Sequence, residues 1–355
     1  MTDEGLEKRV SSLNSQQRKI YEEILAEVQL QVEGDAGAKQ ILKFVSGGAG
    51  VGKSKLIETL TEGVEKLTSH RVVLAAPTGL AAQNIQGRTA HAVFRLPAQR
   101  QNRWAYEKLD PTRAKQMYSE IGQSKLIVID EVSMVANRML AFVHLRLQEM
   151  TGCAAEVPFG GCNVVVLGDL LQLPPVGMKG MKSPYVFLQV SGKEMKDAFP
   201  GTVFGRFPLH LWKMFSYAEL TENMRQQDDR SYADMLNELR VGKLTEATAT
   251  CLKDRVVKVE KSMDAYAAYL MRLRQDGLQP LCIMAKKREV QAMNLAVISG
   301  ENIQPVLLHA KDQSVGRRRK KLPTKGKFQG NEQVDWKKVI AYVKDNSTGD
   351  ERKTG

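Results

Sequence analysis

The chain has 355 residues, 43% of them hydrophobic, and a formal net charge of +12. That content excludes a chain too polar to fold and supports a sizeable core in roughly two domains, while the positive balance favours a polyanionic partner, nucleic acid before an acidic membrane surface. Cys153, Cys162, Cys251 and Cys282 show no C-x-x-C spacing and no surrounding histidines, which argues against zinc or a disulfide framework and for a reducing compartment.

The first twelve residues read as a loose end, and MTDEGLEKRV is not a signal peptide. No run is long enough to span a bilayer, so an intracellular protein is expected. LNSQQRKIYEEIL (13–25) opens a helix capped by Asn14 or Ser15, with Ile20, Ile24, Leu25 and Val28 as its apolar stripe. Ile41 to Val45 reads as a buried strand. It runs into Gly47, Gly48, Ala49, Gly50, Val51, Gly52, Lys53 and Ser54, which fit G-x-x-x-x-G-K-[ST]. Leu56, Ile57, Leu60, Val64 and Leu67 then recur at helical spacing. A glycine-rich turn between strand and helix lets backbone N–H groups point at phosphate oxygens, helped by the helix N-terminus. Lys53 is expected on the β- and γ-phosphates and Ser54 on Mg²⁺.

RVVLAAPTGLAAQNI (71–85) reads as a second strand ending at Pro77-Thr78-Gly79, where a helix starts. Residues 98–120 are charged and helical in flavour. KLIVIDEVSMV (125–135) is a third buried strand, running into Asp130-Glu131, and Met134 to Met150 is a helix. VPFGG (157–161) is a turn, and NVVVLGD (163–169) is a fourth strand. Alternating strands and helices predict a parallel sheet covered on both faces, with ligands at the carboxyl ends of the strands. Asp130 there suits a Mg²⁺ shell, and Glu131 suits activation of an attacking water. In GDLLQLPP (168–175), Gln172 can report a γ-phosphate from a segment stiffened by prolines. Ser231 to Val241 is an amphipathic helix capped by Ser231, residues 242–278 are helical, and 280–298 reads as a strand followed by a helix. The run Arg317 to Lys321 is a nuclear-localisation or nucleic-acid tail, a solvated charge run, or the product of a divergent or mis-joined coding region, and the chain beyond it is expected to be mobile apart from a short helix at Val334 to Val343.

In this order the motifs resemble those of the Pif-type (petite-integration-frequency) DNA helicases, over residues 13–300. LNSQQ is similar to the family's adenine-reading motif, which implies that Gln17 reads the base. APTGLAAQNIQGRTAHAVF (76–94) is similar to its strand-contacting motif, which implies that Thr78, Gly79, His91 and Phe94 lie near DNA, His91 and Phe94 as a stacking surface. Arg138 to Gly161 looks like its signature stretch. LTENMRQ (220–226) resembles its fourth motif, which implies that Arg225 supplies charge to the transferring phosphoryl group.

The resemblance implies an α/β fold: a P-loop RecA-like parallel-sheet domain (1–222), an incomplete second RecA-like domain (223–310), and a basic tail (311–355). It implies a 5′-to-3′ ATP-dependent helicase with Mg²⁺ as cofactor, acting on single-stranded or forked DNA in repair, recombination or telomere maintenance. A monomer in the nucleus is expected, with the mitochondrion as the other compartment. Two late family motifs, a T-x-H-K-S-Q-G-like run and a V-A-L-S-R-like run, do not occur in these residues. The rival expectation is a helicase-like module that binds ATP and nucleic acid without unwinding; a third is an ATPase acting on protein.

Overall fold

The computed structural model describes residues 3–96, 106–154, 156–176, 184–190, 210–226 and 229–300. These fall in two compact units, dividing after Val256. The basic run Arg317 to Lys321 and the short helix expected at Val334 to Val343 lie outside the described residues.

The first unit holds a six-stranded sheet. In chain order its strands are β1 (Leu42–Gly47), β2 (Val73–Ala76), β3 (Arg88–Thr89), β4 (Ile127–Ile129), β5 (Val164–Gly168) and β6 (Ser216–Leu220). Their spatial order is β3-β2-β4-β5-β1-β6, and every pairing is parallel. Ser46 stands opposite Gly168, and Ile129 opposite Val166. The ends of β1, β4 and β5 therefore share one rim.

Strand residues feed two cores by turns. Phe44, Ile127, Ile129, Val164 and Val166 face one, with α5 (Ala90–Val93), α6 (Pro111–Ile121) and α7 (Asn137–Thr151). Val45, Val128, Val165 and Leu167 face the other, with α2 (Ser15–Glu33), α3 (Lys53–Thr68) and α4 (Gly79–Asn84). Both faces are covered, which is why these strands read as unbroken apolar runs. Each fully buried Val, Leu or Ile contributes about 1.5–3 kcal/mol relative to exposure.

The start of the chain differs from expectation. Asp3–Ser11 is a helix (α1), and Arg9 pairs with Glu58 and Glu62 of α3. Asn14, not Ser15, caps α2 through a capping box with Gln17. Asp229, not Ser231, caps the helix Arg230–Arg240. Asx side chains reach the N2 and N3 amides more readily than a residue already inside the helix.

Two buried polar groups fix the segments around α7. Arg146, 2% exposed, donates through Nε to the Phe94 carbonyl at 3.2 Å and through a terminal nitrogen to that of Glu107 at 3.0 Å. It also pairs with Glu149 at 2.5 Å and lies over the Tyr106 ring. The Tyr106 hydroxyl and the Leu109 N–H donate to the Glu149 carboxylate in turn. His144 Nδ1 accepts the Phe159 N–H at 2.9 Å. Phe159 and Gly160 both have positive φ, and a Cβ on Gly160 would lie 2.6 Å from the Leu147 carbonyl oxygen. VPFGG is thus a turn pressed onto the last turns of α7.

The second unit is described to Gly300. Its helices Met263–Gln275 and Lys287–Gly300 pack together, Gly300 against Met271. The expected strand from 280 forms no ladder among the described residues, and Leu281 and Ile283 are 86% and 87% exposed. An apolar run makes a strand only beside another strand. The helix that follows it is present.

His144 gives a pH test. Burial lowers its pKa from 6.5 to about 4. The unfolded chain takes up this proton near 6.5, the folded chain only near 4. The stability involved is therefore intact above 6.5 and lost as the pH falls toward 4, by up to about 3 kcal/mol. In urea unfolding across that window, His144→Asn is expected to flatten the pH dependence; an unchanged slope would contradict it.

Candidate active site

The rim collects charge. From β1 the chain turns through the glycine loop into α3, with Gly50 and Gly52 at φ +81°. A Cβ on Gly52 would sit 2.3 Å from Gln17 Nε2, and one on Gly50 2.8 Å from the Arg225 Cβ. Only glycine permits both the turn and the two approaches.

Lys53 opens α3 and folds back over the loop. Its Nζ donates to the Gly47 carbonyl at 2.7 Å and the Gly48 carbonyl at 2.8 Å. Burial lowers its pKa, against the pull of Asp130, Glu131 and Asp169. Ser54 follows in the first helical turn and is exposed.

Asp130 leaves the end of β4 with 7% exposure, and its Oδ1 has no hydrogen-bond partner among the described residues. Burial raises its pKa, opposed first by the Glu131 N–H and then by Lys53. Glu131 follows in left-handed backbone, φ 51°, and its pKa is raised by burial and then by Asp130. A buried, orphaned carboxylate oxygen beside a hydroxyl-bearing helix start fits a hard divalent cation such as Mg²⁺, which takes oxygen ligands.

Beyond β5, Asp169 is 1% exposed and saturated with donors. Arg240 Nε reaches Oδ2 at 2.6 Å and a terminal Arg240 nitrogen reaches Oδ1 at 2.8 Å. The Leu171 N–H donates to Oδ1 at 3.1 Å, and Gln172 Nε2 to Oδ2 at 3.3 Å. Burial works to raise the Asp169 pKa, but Arg240 and these donors hold it below the ordinary value.

The LTENMRQ segment lies over the loop. The Met224 N–H donates to the Gly50 carbonyl at 2.8 Å, and Asn223 Oδ1 accepts the Arg225 N–H at 2.9 Å. Arg225 is thereby held against Gly50, with its side chain exposed. Gln16 ties the same segment to α2 by accepting the Thr221 N–H at 2.9 Å.

Gln17 is fully buried beneath the loop. Its Nε2 donates to the Val51 carbonyl at 3.0 Å, and its Oε1 accepts the Asn14 N–H at 3.1 Å. Here the amide braces the loop and closes the cap. Thr78 caps α4 by accepting the Ala81 N–H, Gly79 is exposed, and His91 is half-buried.

Phe94 corrects an expectation. It is 0% exposed, packed in the core under α7 with its carbonyl on Arg146. Its ring cannot stack a base there, because packing has already covered both faces. Leu80, beside Gly79, is 72% exposed.

Gln16 and Arg240 escape a reading of the sequence. Gln16 looks like any polar helix residue, and Arg240 like a basic residue suited to a helix C-terminus. Neither spacing nor periodicity announces a partner as far away as 169 or 221.

Three comparisons bear on this site. A family model described as "PIF1-like helicase" matches residues 12–200, more than half of the chain. The ATP-dependent DNA helicase PIF1 of Candida albicans is 29% identical over 280 residues, 76% of this chain and 28% of that protein. The ATP-dependent DNA helicase Pif1 of Bdellovibrio bacteriovorus is 30% identical over 238 residues, 65% of this chain and 47% of that protein. The chain thus spans less than half the length of these curated relatives. The crystal structure of the Candida albicans Pif1 helicase matches the fold with a TM-score of 0.56 at 24% identity, covering 83% of this chain and 55% of that one.

The bracing role of Gln17 can be checked by chemical denaturation. Gln17→Ala strands the Val51 carbonyl and the Asn14 N–H, and is expected to cost about 1–3 kcal/mol. No loss of stability would contradict the brace.

Proposed function

This chain belongs to the PIF1-like helicase family, and on that premise we propose that it is an ATP-dependent DNA helicase motor, moving 5′ to 3′ on single-stranded or forked DNA. The observation that carries the reading is the rim itself. Lys53, Asp130, Glu131, Asp169 and the Arg225 segment, from four separate stretches, meet around one glycine cradle. The relatives' names supply the DNA, and the net charge of +12 suits such a polyanion.

Residues 47–54 cradle the phosphates of ATP. Lys53 exchanges the Gly47 and Gly48 carbonyls for phosphate oxygens, a small movement for a flexible ammonium. Ser54 and Asp130 hold Mg²⁺, which when bound neutralises phosphate charge. Glu131, with its raised pKa, accepts a proton from the attacking water. Gln172 senses the γ-phosphate, and Arg225 offsets charge on the transferring group. Gln17 reads adenine by exchanging its present partners for the base. Thr78, Gly79 and His91 carry the strand; Phe94 supports them from the core.

In this proposal residues 1–222 form the first RecA-like domain, 223–310 belong to a second, whose first stretch as far as Val256 lies in the first compact unit, and 311–355 form the basic tail. A monomer working in the nucleus, in repair, recombination or telomere maintenance, completes the reading; the Arg317 to Lys321 run would serve as the address.

The test uses the full chain. Lys53→Ala is expected to abolish binding of Mg·ATP measured by calorimetry, and unchanged affinity would sink the site. In the same preparation, single-stranded DNA is expected to stimulate ATP turnover and support strand displacement. Binding with neither turnover nor displacement would replace the motor with a binding module.

A further inference from the structure

The Asp169–Arg240 pair is the one buried charge contact at this rim, among the described residues, that the motifs leave without a role. It is unusual in three respects. The carboxylate is 1% exposed and the guanidinium 28%, so the pair is withdrawn from water at one end and open at the other. The contact is two-pronged, with Arg240 Nε and one terminal nitrogen within 2.8 Å of separate carboxylate oxygens. Such pairing fixes direction as well as distance. The guanidinium also faces the phosphate cradle: a Cβ built on Gly48 would lie 3.7 Å from Arg240 Nε and 3.8 Å from its Cζ.

A buried ion pair is weak evidence for stability, because desolvation offsets most of its attraction. Its position is more telling. The carboxylate that Arg240 grips also receives the Gln172 amide, and the Gln172 N–H donates to the Asp169 carbonyl at 2.9 Å. Arg240 therefore fixes the base of the short turn that carries Gln172. Charge adds to geometry. Asp130, Glu131 and Asp169 all act on Lys53, and without Arg240 three carboxylates would face one ammonium. With Arg240 the count is three carboxylates against two cations; without it a triphosphate entering the cradle would meet a still more negative wall.

We propose that Arg240 is a positioning residue of the nucleotide site, whose two-pronged grip on Asp169 sets the 169–172 turn against the phosphate cradle and so gives the site its preference for triphosphate over diphosphate. The inference rests on the nucleotide-site reading above and deepens it. Arg240 acts through Asp169; Gln172 makes the contact. Lysine at 240 would keep the charge yet lose the fork, since an ammonium offers no planar pair of donors. Charge and fork geometry can thus be varied separately.

The experiment measures affinity for a fluorescent ADP and a fluorescent non-hydrolysable ATP analogue, each with Mg²⁺, on the full chain. Arg240→Lys is expected to bind the diphosphate within about threefold of the unaltered chain, and to lose about tenfold of its preference for the triphosphate. Arg240→Gln is expected to weaken both ligands. Asp169→Asn combined with Arg240→Gln should be no worse than Arg240→Gln alone, the signature of coupled residues. Retention of the triphosphate preference in Arg240→Lys overturns the proposal, as do losses that add independently in the double variant. An unaltered chain that binds neither ligand overturns the nucleotide site itself, and the role of Arg240 with it.

Discussion

A carboxylate buried at the end of a parallel strand must find cations or donors, or give up its charge. The rim of this sheet applies that constraint twice, with opposite outcomes. Asp169 is satisfied on every side, by Arg240, Gln172 and the Leu171 N–H, and its pKa falls. Asp130 keeps an Oδ1 with no hydrogen-bond partner among the described residues, and its pKa rises. One acid is a fixture; the other, in the proposed function, is the socket for the metal. Lys53 rests on the loop carbonyls within the field of both acids, its pKa lowered by burial. The site's chemistry follows from that inequality.

The rest of the first unit keeps these groups in place. Both faces of the sheet are sealed, so β1, β4 and β5 end at fixed heights. Beneath the loop, Gln17 fills the space that the Gly52 side chain vacates. Above it, Gln16 and the Gly50 carbonyl hold the 221–225 segment. On the far face Arg146 secures the carbonyls of Phe94 and Glu107, and so the segments that flank α5 and α6. Loops that carry function are held here by side chains reaching from regular elements, a common way of combining precision with exposure.

The sequence declared some of this more plainly than the rest. The glycine loop, the Asp130-Glu131 step and the GDLLQ segment were legible because each ends an apolar run, and an apolar run flanked by turn signals marks a strand whatever surrounds it. Family likeness added Gln17, Arg225 and the strand-contacting segment. Three things stayed hidden. Phe94 sits in a motif associated with DNA, yet its burial depends on α7, fifty residues onward. Arg240 has the pattern of a helix-ending cation, and its partner is 71 residues away. The expected strand from 280 had the right composition, but a strand needs a neighbour, and its ladder is absent among the described residues. Local pattern reveals local structure; partnership between distant side chains has no periodicity to read.

The central claim is that this rim closes around the phosphates of ATP. A crystal structure of the full chain with Mg²⁺ and ADP–aluminium fluoride tests it most directly. The account predicts that Lys53 Nζ leaves the Gly47 and Gly48 carbonyls for phosphate oxygens, that Asp130 and Ser54 face the metal, and that Arg240 keeps its grip on Asp169 while the Gln172 amide turns to the fluoride. A Lys53 still seated on those carbonyls, with the nucleotide bound elsewhere, would contradict it.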